Sequence, residues 1–143
     1  MAEPTYCDVA YGDHTRNVLD FYRAEGDKTP LLVYIHGGGF KGGDKSALPG
    51  ILLDACLDAG ISVATINYPL SDTDPYPASM THSRRAVQFL RYKADEWGLD
   101  ATRFASGGNS AGAGISLWIG FRDDAVEASS EDPVLRESSA LTC

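Results

Sequence analysis

Three short apolar segments of this sequence each precede a segment whose apolar residues repeat at helical spacing. The apolar segments are residues 31–35, 61–66 and 103–106. The helical segments that follow them are residues 48–59, 86–97 and 111–119, in the same order. A continuous apolar run of this kind is typical of a strand that is covered on both faces. The alternation predicts an α/β fold in which a mostly parallel sheet has helices on both faces.

The segments at the two ends of the chain carry weaker patterns. Residues 9–11 and 18–22 alternate around a turn-rich segment and predict a β-hairpin. Residues 123–139 are acidic and rich in Ser, which predicts a loop or a surface helix, and residues 140–143 predict the first half of another strand. With 43% hydrophobic and 22% charged residues among 143, the composition is that of one globular domain.

The charge and hydropathy of the chain argue against several classes of partner. The net charge of −8 and the scattered Lys and Arg residues disfavour nucleic acid, whose backbone is bound by clustered cations. No apolar run approaches the roughly 20 residues that span a bilayer. Residues 1–4 carry neither a basic nor an apolar signal region, so we expect a cytoplasmic protein with no membrane partner.

The cysteines and other ligand-type residues predict neither a disulfide framework nor a metal site. Cys7, Cys56 and Cys143 are odd in number and far apart in the sequence, so we expect buried free thiols. The His, Cys and acidic residues are not clustered at metal-binding spacing. We therefore expect no metal and no organic cofactor.

A Gly-x-Ser-x-Gly pentapeptide occupies residues 108–112, between a predicted strand and a predicted helix. In a sharp strand-to-helix turn, Cβ atoms beside the serine would clash, so Gly108 and Gly112 would be steric requirements. Ser110 would then project above the carboxyl ends of the strands, where open α/β sheets place their sites. Ser110 is therefore the candidate nucleophile, and the alternative is a loose surface loop.

A second glycine motif, His-Gly-Gly-Gly at residues 36–39, follows the predicted strand at residues 31–35. Consecutive glycines can turn their backbone N–H groups toward a ligand because no Cβ blocks the approach. Acyl transfer passes through a tetrahedral oxyanion that such donors stabilise. Together with the N–H of Ala111, this loop predicts an oxyanion hole for chemistry at Ser110.

The two motifs resemble those of the α/β-hydrolase esterases, in the hormone-sensitive-lipase-like and related carboxylesterase groups. The resemblance extends over essentially the whole chain, through residues 20–22, 36–40, 67–68, 77–78, 85–90 and 108–112. It implies that Ser110 is the nucleophile and that the oxyanion donors are Gly38, Gly39 and Ala111. The residues that it implies to be structural at the site are His36, which holds the glycine loop in shape, Gly37, Gly108 and Gly112.

No residue of the chain stands where the resemblance places the base that activates the serine. In this fold the partners follow the nucleophile in the order acid and then histidine, whereas His14, His36 and His82 all precede Ser110. The acids that follow Ser110 come too early in the sequence and are interpreted as a solvated surface: Asp123, Asp124, Glu127, Glu131, Asp132 and Glu137. We therefore expect residues 1–143 to be the N-terminal part of a single α/β-hydrolase domain, truncated after the nucleophile helix.

Such a domain would have an open sheet edge through which it could self-associate or bind a partner chain. The function predicted for the parent protein is that of a serine carboxylesterase-type hydrolase of small carboxylic esters, acting through an acyl-enzyme on Ser110. Short acyl esters, or acetyl or feruloyl groups on carbohydrates, fit the resemblance. The 143-residue chain alone is expected to be inactive. Two alternatives stay open: a non-catalytic subunit or binding fragment that needs a partner chain, and a peptidase of the same fold.

Overall fold

Strands and helices alternate along the chain in the predicted order. The computed structural model describes residues 2–143. Its strands are β1 (Tyr6–Ala10), β2 (Val18–Tyr22), β3 (Thr29–Ile35), β4 (Ser62–Ile66) and β5 (Leu99–Gly108). Its α-helices are α1 (Gly50–Asp58), α2 (Ala78–Tyr92), α3 (Ala94–Trp97) and α4 (Ala111–Phe121), and a short 3-10 helix spans Lys45–Ala47.

The five strands form one mixed sheet in the order β1-β2-β4-β3-β5. Strands β4, β3 and β5 are parallel, and β2 joins β4 in the antiparallel direction, so the β1–β2 hairpin extends one edge. In the register of β3 with β5, Ile35 lies opposite Gly108. The loops that follow these two strands therefore leave the sheet side by side, and they carry the two glycine motifs.

Helices cover both faces of the sheet because alternate residues of each strand point to opposite faces. Val33 lies in a core shared with Leu90 of α2 and Ile115 of α4. Its neighbour Tyr34 lies in a second core with Leu53 of α1. Burial of each such Leu or Ile side chain stabilises the fold by about 1.5–3 kcal/mol. The α/β prediction, with helices on both faces of a mostly parallel sheet, is confirmed.

Helix α2 begins well before the segment that its apolar periodicity marks. Its first turns bury two serines, whose hydroxyl groups donate to main-chain carbonyls: Ser79 to Pro69 at 2.6 Å and Ser83 to Ser79 at 2.7 Å. These bonds satisfy the buried hydroxyl groups, so a polar residue can occupy a core-facing position. A helix whose inner face starts with Ser gives no apolar signal there.

The predictions for the end of the chain and for the cysteines are partly wrong. Residues 140–143 do not form a regular strand, although two backbone bonds join them to β5: Thr142 N–H to Phe104 O at 2.7 Å and Ser106 N–H to Cys143 O at 3.1 Å. Cys56 is buried as expected, whereas Cys7 and Cys143 are exposed. Across residues 2–143, no helix is both long and apolar enough to cross a bilayer.

Candidate active site

Ser110 lies in the two-residue turn between β5 and α4. Its backbone has φ 50° and ψ −120°, a combination that L residues rarely adopt and that costs about 1–3 kcal/mol. A Cβ built on either Gly108 or Gly112 would overlap the carbonyl oxygen of Ile35. The glycines on both sides of the serine are therefore required by the close approach of β3, and the serine side chain remains exposed.

The glycine loop, residues 36–43, folds back on itself beside this turn. The N–H groups of Lys41 and Gly42 both donate to the carbonyl of Gly38, at 3.0 and 3.1 Å. Gly38 and Gly39 have φ values of +128° and +62°, and a Cβ on Gly38 would overlap the carbonyl oxygen of Gly42. The loop therefore depends on glycine for its shape.

Three backbone N–H groups at the site have no hydrogen-bond acceptor among residues 2–143: those of Gly38, Gly39 and Ala111. Ala111 is the first residue of α4, and the N–H groups at a helix N-terminus carry a partial positive charge. Donors of this kind bind anionic oxygens. These are the three groups that the sequence predicts as oxyanion donors.

Asn109 connects the glycine loop to the serine turn. Its Oδ1 accepts the backbone N–H of Gly37 at 3.0 Å and the hydroxyl of Tyr34 at 3.1 Å. A Cβ on Gly37 would also lie 2.9 Å from the carbonyl oxygen of Asn109, so this approach requires glycine as well. Sequence reasoning did not identify Asn109, and its position beside the serine was the only signal for it.

His36 lies buried beneath the loop and is neutral. Its Nδ1 lies 2.6 Å from the carbonyl of Gly37, which can only accept, so Nδ1 carries the hydrogen and Nε2 is free to accept. Arg16 donates to Nε2 at 3.3 Å, and the ring of Tyr68 stacks on the imidazole at 4.3 Å between centroids. Burial lowers the pKa of His36 below its ordinary value. Both ring nitrogens therefore serve the fold of the loop.

The other two histidines have partners away from the serine. His14 Nε2 lies 3.0 Å from a carboxylate oxygen of Asp74, and His82 Nδ1 lies 3.0 Å from the side-chain nitrogen and 3.3 Å from the side-chain oxygen of Asn17. Burial lowers the pKa of His82. Over the described part of the chain, the hydroxyl of Ser110 has no hydrogen-bond partner.

Two of the acids that follow the serine have structural bonds. Asp132 pairs with Arg85 of α2 at 2.7 Å. Asp124 accepts the backbone N–H of Ser139 at 2.8 Å and the hydroxyl of Ser138 at 2.5 Å. Asp124 is exposed and Asp132 is half-buried, so both acids lie at the surface, and their bonds fasten the segment after α4.

A cavity of about 210 Å³ opens beside the glycine loop. Its lining residues are Gly39, Phe40, Ser71, Tyr76, Ser79 and Met80. The N–H of Ser71 donates to the carbonyl of Phe40 at 2.7 Å, which holds the loop after β4 against the glycine loop. Two aromatic rings and a thioether make the cavity largely apolar, and Gly39 of the glycine loop is among its lining residues.

One cluster offers ligand atoms of the kind that metals bind. The thiol of Cys7 and the carboxylates of Asp8 and Asp20 lie within 4.8 Å of one another. The ammonium of Lys45 lies 2.9 Å from Asp8 and 2.8 Å from Asp20. Although burial opposes its charge, the bonds to Asp20 and Asp8 raise the pKa of Lys45. An internal cation therefore already compensates the two carboxylates.

Solved structures share this fold. The acetyl ester-xyloside bifunctional hydrolase from Caldicellulosiruptor lactoaceticus superposes with a TM-score of 0.76 at 27% identity, over 88% of this chain and 47% of that chain. A bacterial heroin esterase superposes with a TM-score of 0.66 at 28% identity, over 75% of this chain and 35% of that chain. Together with the serine turn after β5, these matches define an α/β-hydrolase fold.

The chain belongs to the BD-FAE family, whose model matches residues 19–140. The carboxylic ester hydrolase LipN of Mycobacterium tuberculosis (strain ATCC 25618 / H37Rv) is 36% identical over 114 residues, which are 78% of this chain and 30% of LipN. Probable carboxylesterase 3 of Arabidopsis thaliana is 31% identical over 128 residues, which cover 80% of this chain and 41% of that protein. The resemblance to esterases is confirmed, and the chain spans less than half the length of these two relatives.

Proposed function

We propose that the protein containing this chain is a serine esterase that hydrolyses small carboxylic esters, with Ser110 as the nucleophile. The observation that carries the proposal is the position of Ser110 at a strained turn that Asn109 ties to the glycine loop. Strained backbone at an exposed polar residue is typical of functional sites. The esterase names of the relatives support the same reaction class.

In the proposed reaction the hydroxyl oxygen of Ser110 bonds to the ester carbonyl carbon. The carbonyl oxygen becomes an oxyanion, which accepts hydrogen bonds from the N–H groups of Gly38, Gly39 and Ala111. Collapse breaks the bond to the alcohol oxygen, and the alcohol leaves with the proton lost by the serine. Water then attacks the acyl-enzyme in the same way and releases the carboxylic acid. Each oxyanion donor is worth about 3 kcal/mol in the transition state.

The proposal assigns no residue of this chain as the base. A serine hydroxyl is a weak nucleophile until a positioned base takes its proton. The side chains of His14, His36 and His82 are bonded elsewhere, as described above. We therefore expect the 143-residue chain by itself to hydrolyse esters slowly or not at all.

The cavity beside Gly39 supports small substrates. An apolar cavity of about 150 Å³ accommodates benzene, so the 210 Å³ lined by Phe40, Tyr76 and Met80 suits a short acyl chain or a single ring. An acetyl group, or the ring of a feruloyl group, on a carbohydrate is of this size.

The test compares Ser110→Ala with Ser106→Ala in the full-length protein. Ser106 is a matched control because it is a serine of β5, the strand that leads into the turn, and its hydroxyl is bonded elsewhere, 2.5 Å from that of Ser116. We expect Ser110→Ala to abolish hydrolysis of p-nitrophenyl acetate and labelling by a fluorophosphonate, while Ser106→Ala keeps both. Unchanged hydrolysis by a folded Ser110→Ala variant would contradict the proposal.

The same assays separate the two alternatives. A peptidase would cleave an aminoacyl amide faster than the matching ester, with the same dependence on Ser110. A binding or subunit role would be indicated by a folded full-length protein that neither hydrolyses esters nor reacts with the fluorophosphonate. This second alternative stays open because no base is bonded to Ser110 within residues 2–143.

A further inference from the structure

Arg16, in the turn between β1 and β2, reaches across to the glycine loop through three hydrogen bonds. Its Nε donates to the carbonyl of Tyr68 at 2.8 Å. One of its terminal nitrogens, Nη2, donates to the carbonyl of Gly43 at 2.9 Å and to Nε2 of His36 at 3.3 Å. Nη2 carries two hydrogens, so both of these bonds can form at once.

These bonds hold both ends of the loop. His36 is its first residue and Gly43 its last, and a Cβ on Gly43 would overlap the His36 ring. Tyr68 packs against the first residue of the loop, since its ring stacks on His36 and its hydroxyl donates to the His36 carbonyl at 2.7 Å. A single planar guanidinium therefore connects the β1–β2 turn, the loop after β4 and both ends of the glycine loop.

The bond to His36 also selects the tautomer of that histidine. A guanidinium can only donate, so Nε2 must be the accepting nitrogen and Nδ1 must carry the hydrogen. That hydrogen lies on the Gly37 carbonyl, which orients the peptide before Gly38. If Nε2 carried the hydrogen instead, the donors Nε2–H and Arg16 Nη2–H would face each other, and on the other side of the ring Nδ1 and the Gly37 carbonyl would face each other as two acceptors.

We propose that Arg16 is a positioning residue that clamps the two ends of the glycine loop and so keeps the Gly38 and Gly39 N–H groups directed at the oxyanion. The role rests on the proposed function, because it acts on the donors of that reaction. Oxyanion donors act only if they are preorganised, and a misplacement of about 1 Å can lower a rate about 100-fold. Lysine cannot replace Arg16, since one ammonium cannot reach three acceptors in a fork geometry.

The test uses Arg16→Gln and Arg16→Lys in the full-length protein, with Arg103→Gln as the control. Arg103 also donates to a backbone carbonyl, that of Lys28, which precedes β3 and so lies at the opposite end of that strand from the glycine loop. We expect both Arg16 variants to lose about 100-fold in kcat with little change in KM. Arg103→Gln should keep the wild-type values. Rates are referred to the concentration of serine that reacts with a fluorophosphonate, so partial unfolding does not imitate the effect.

A second readout does not depend on hydrolysis. In the ¹⁵N spectrum of the wild type, His36 Nε2 should give the shift of an unprotonated acceptor, and both Arg16 variants should move or broaden it. Wild-type kcat and an unchanged His36 spectrum in Arg16→Gln would overturn the inference. If that variant does not fold, Arg16→Lys decides by the same criteria. Hydrolysis that survives Ser110→Ala would instead overturn the proposed function and leave the His36 result to stand alone.

Discussion

The side-chain oxygen of Asn109 accepts the backbone N–H of Gly37 at 3.0 Å, which joins the serine turn to the glycine loop. The same oxygen accepts the hydroxyl of Tyr34, a residue of the strand that leads into the loop. The two glycine motifs are 72 positions apart at this contact, and one amide fixes their spacing. Asn109 therefore fixes the position of the serine turn relative to the glycine loop, the two elements proposed to act on one ester group.

Removal of this acceptor should slow the reaction without unfolding the protein. Asn109→Ala leaves the Gly37 N–H without its partner, and we expect kcat to fall about 10- to 100-fold because the loop loses its position. Asn109→Asp keeps an acceptor and should retain most of the activity. Tyr34→Phe removes only the second bond and serves as the smaller perturbation. Steady-state kinetics of the full-length protein with p-nitrophenyl acetate measures all three, and equal activity of the Ala and Asp variants would contradict this expectation.

Alanine substitutions within the glycine loop should show whether activity depends on the backbone conformation of the loop or only on its glycine content. Gly38→Ala combines a φ of +128° with an overlap on the Gly42 carbonyl, so we expect about a 100-fold loss of kcat or more. Gly42→Ala places its Cβ in open space and should be tolerated. Kinetics and thermal melting of the two variants check this pair. A Gly38→Ala variant as active as Gly42→Ala would show that the loop does not need its observed shape.

Much of this arrangement follows from the sequence, because it depends on local patterns. Apolar periodicity predicts the strands, and the spacing of Gly108 and Gly112 predicts a tight turn whose crowding against Ile35 is then found. Arg16 and Asn109 could not be predicted in the same way. Their partners lie far away in the sequence, and a polar residue in a turn gives no indication of which distant carbonyl or amide it binds. The register of β3 with β5 creates the contacts of Asn109, and the pairing of β4 with both β2 and β3 brings Arg16 to the glycine loop.

The buried, neutral state of His36 predicts a fall in stability at acidic pH. Burial lowers its native pKa, so the unfolded chain, in which the pKa of His is about 6.5, takes up the proton first as the pH falls. Acid stabilises the state that binds more protons, which here is the unfolded state. The free energy of unfolding should therefore be at its full value above pH ~6.5 and decline below it. The pKa of His82 is lowered too and adds to the decline in the same direction.

Denaturant unfolding of the wild type and of His82→Gln across this pH range measures the two contributions. The decline should persist in His82→Gln with a smaller slope, and the His36 ring signals should not titrate near pH 6.5. A His36 signal with an ordinary midpoint would show that the imidazole is accessible and would remove the stated cause.

The outer surface of α4 predicts how the 143-residue chain behaves by itself. Leu117 and Phe121 are 60% and 87% exposed on this helix, next to the edge strand β5. Residues 140–143 make only two backbone hydrogen bonds to this edge, and exposed apolar side chains beside a sheet edge favour association. We propose that this surface mediates self-association of the isolated chain. Sedimentation velocity should show oligomers that dissociate when both residues are replaced by Lys.

Ile51→Lys, at an equally exposed position on α1, is the control that should leave the oligomers intact. A wild-type chain that stays monomeric at high concentration would contradict the prediction, because its apolar helix face would then be stable in water without a partner.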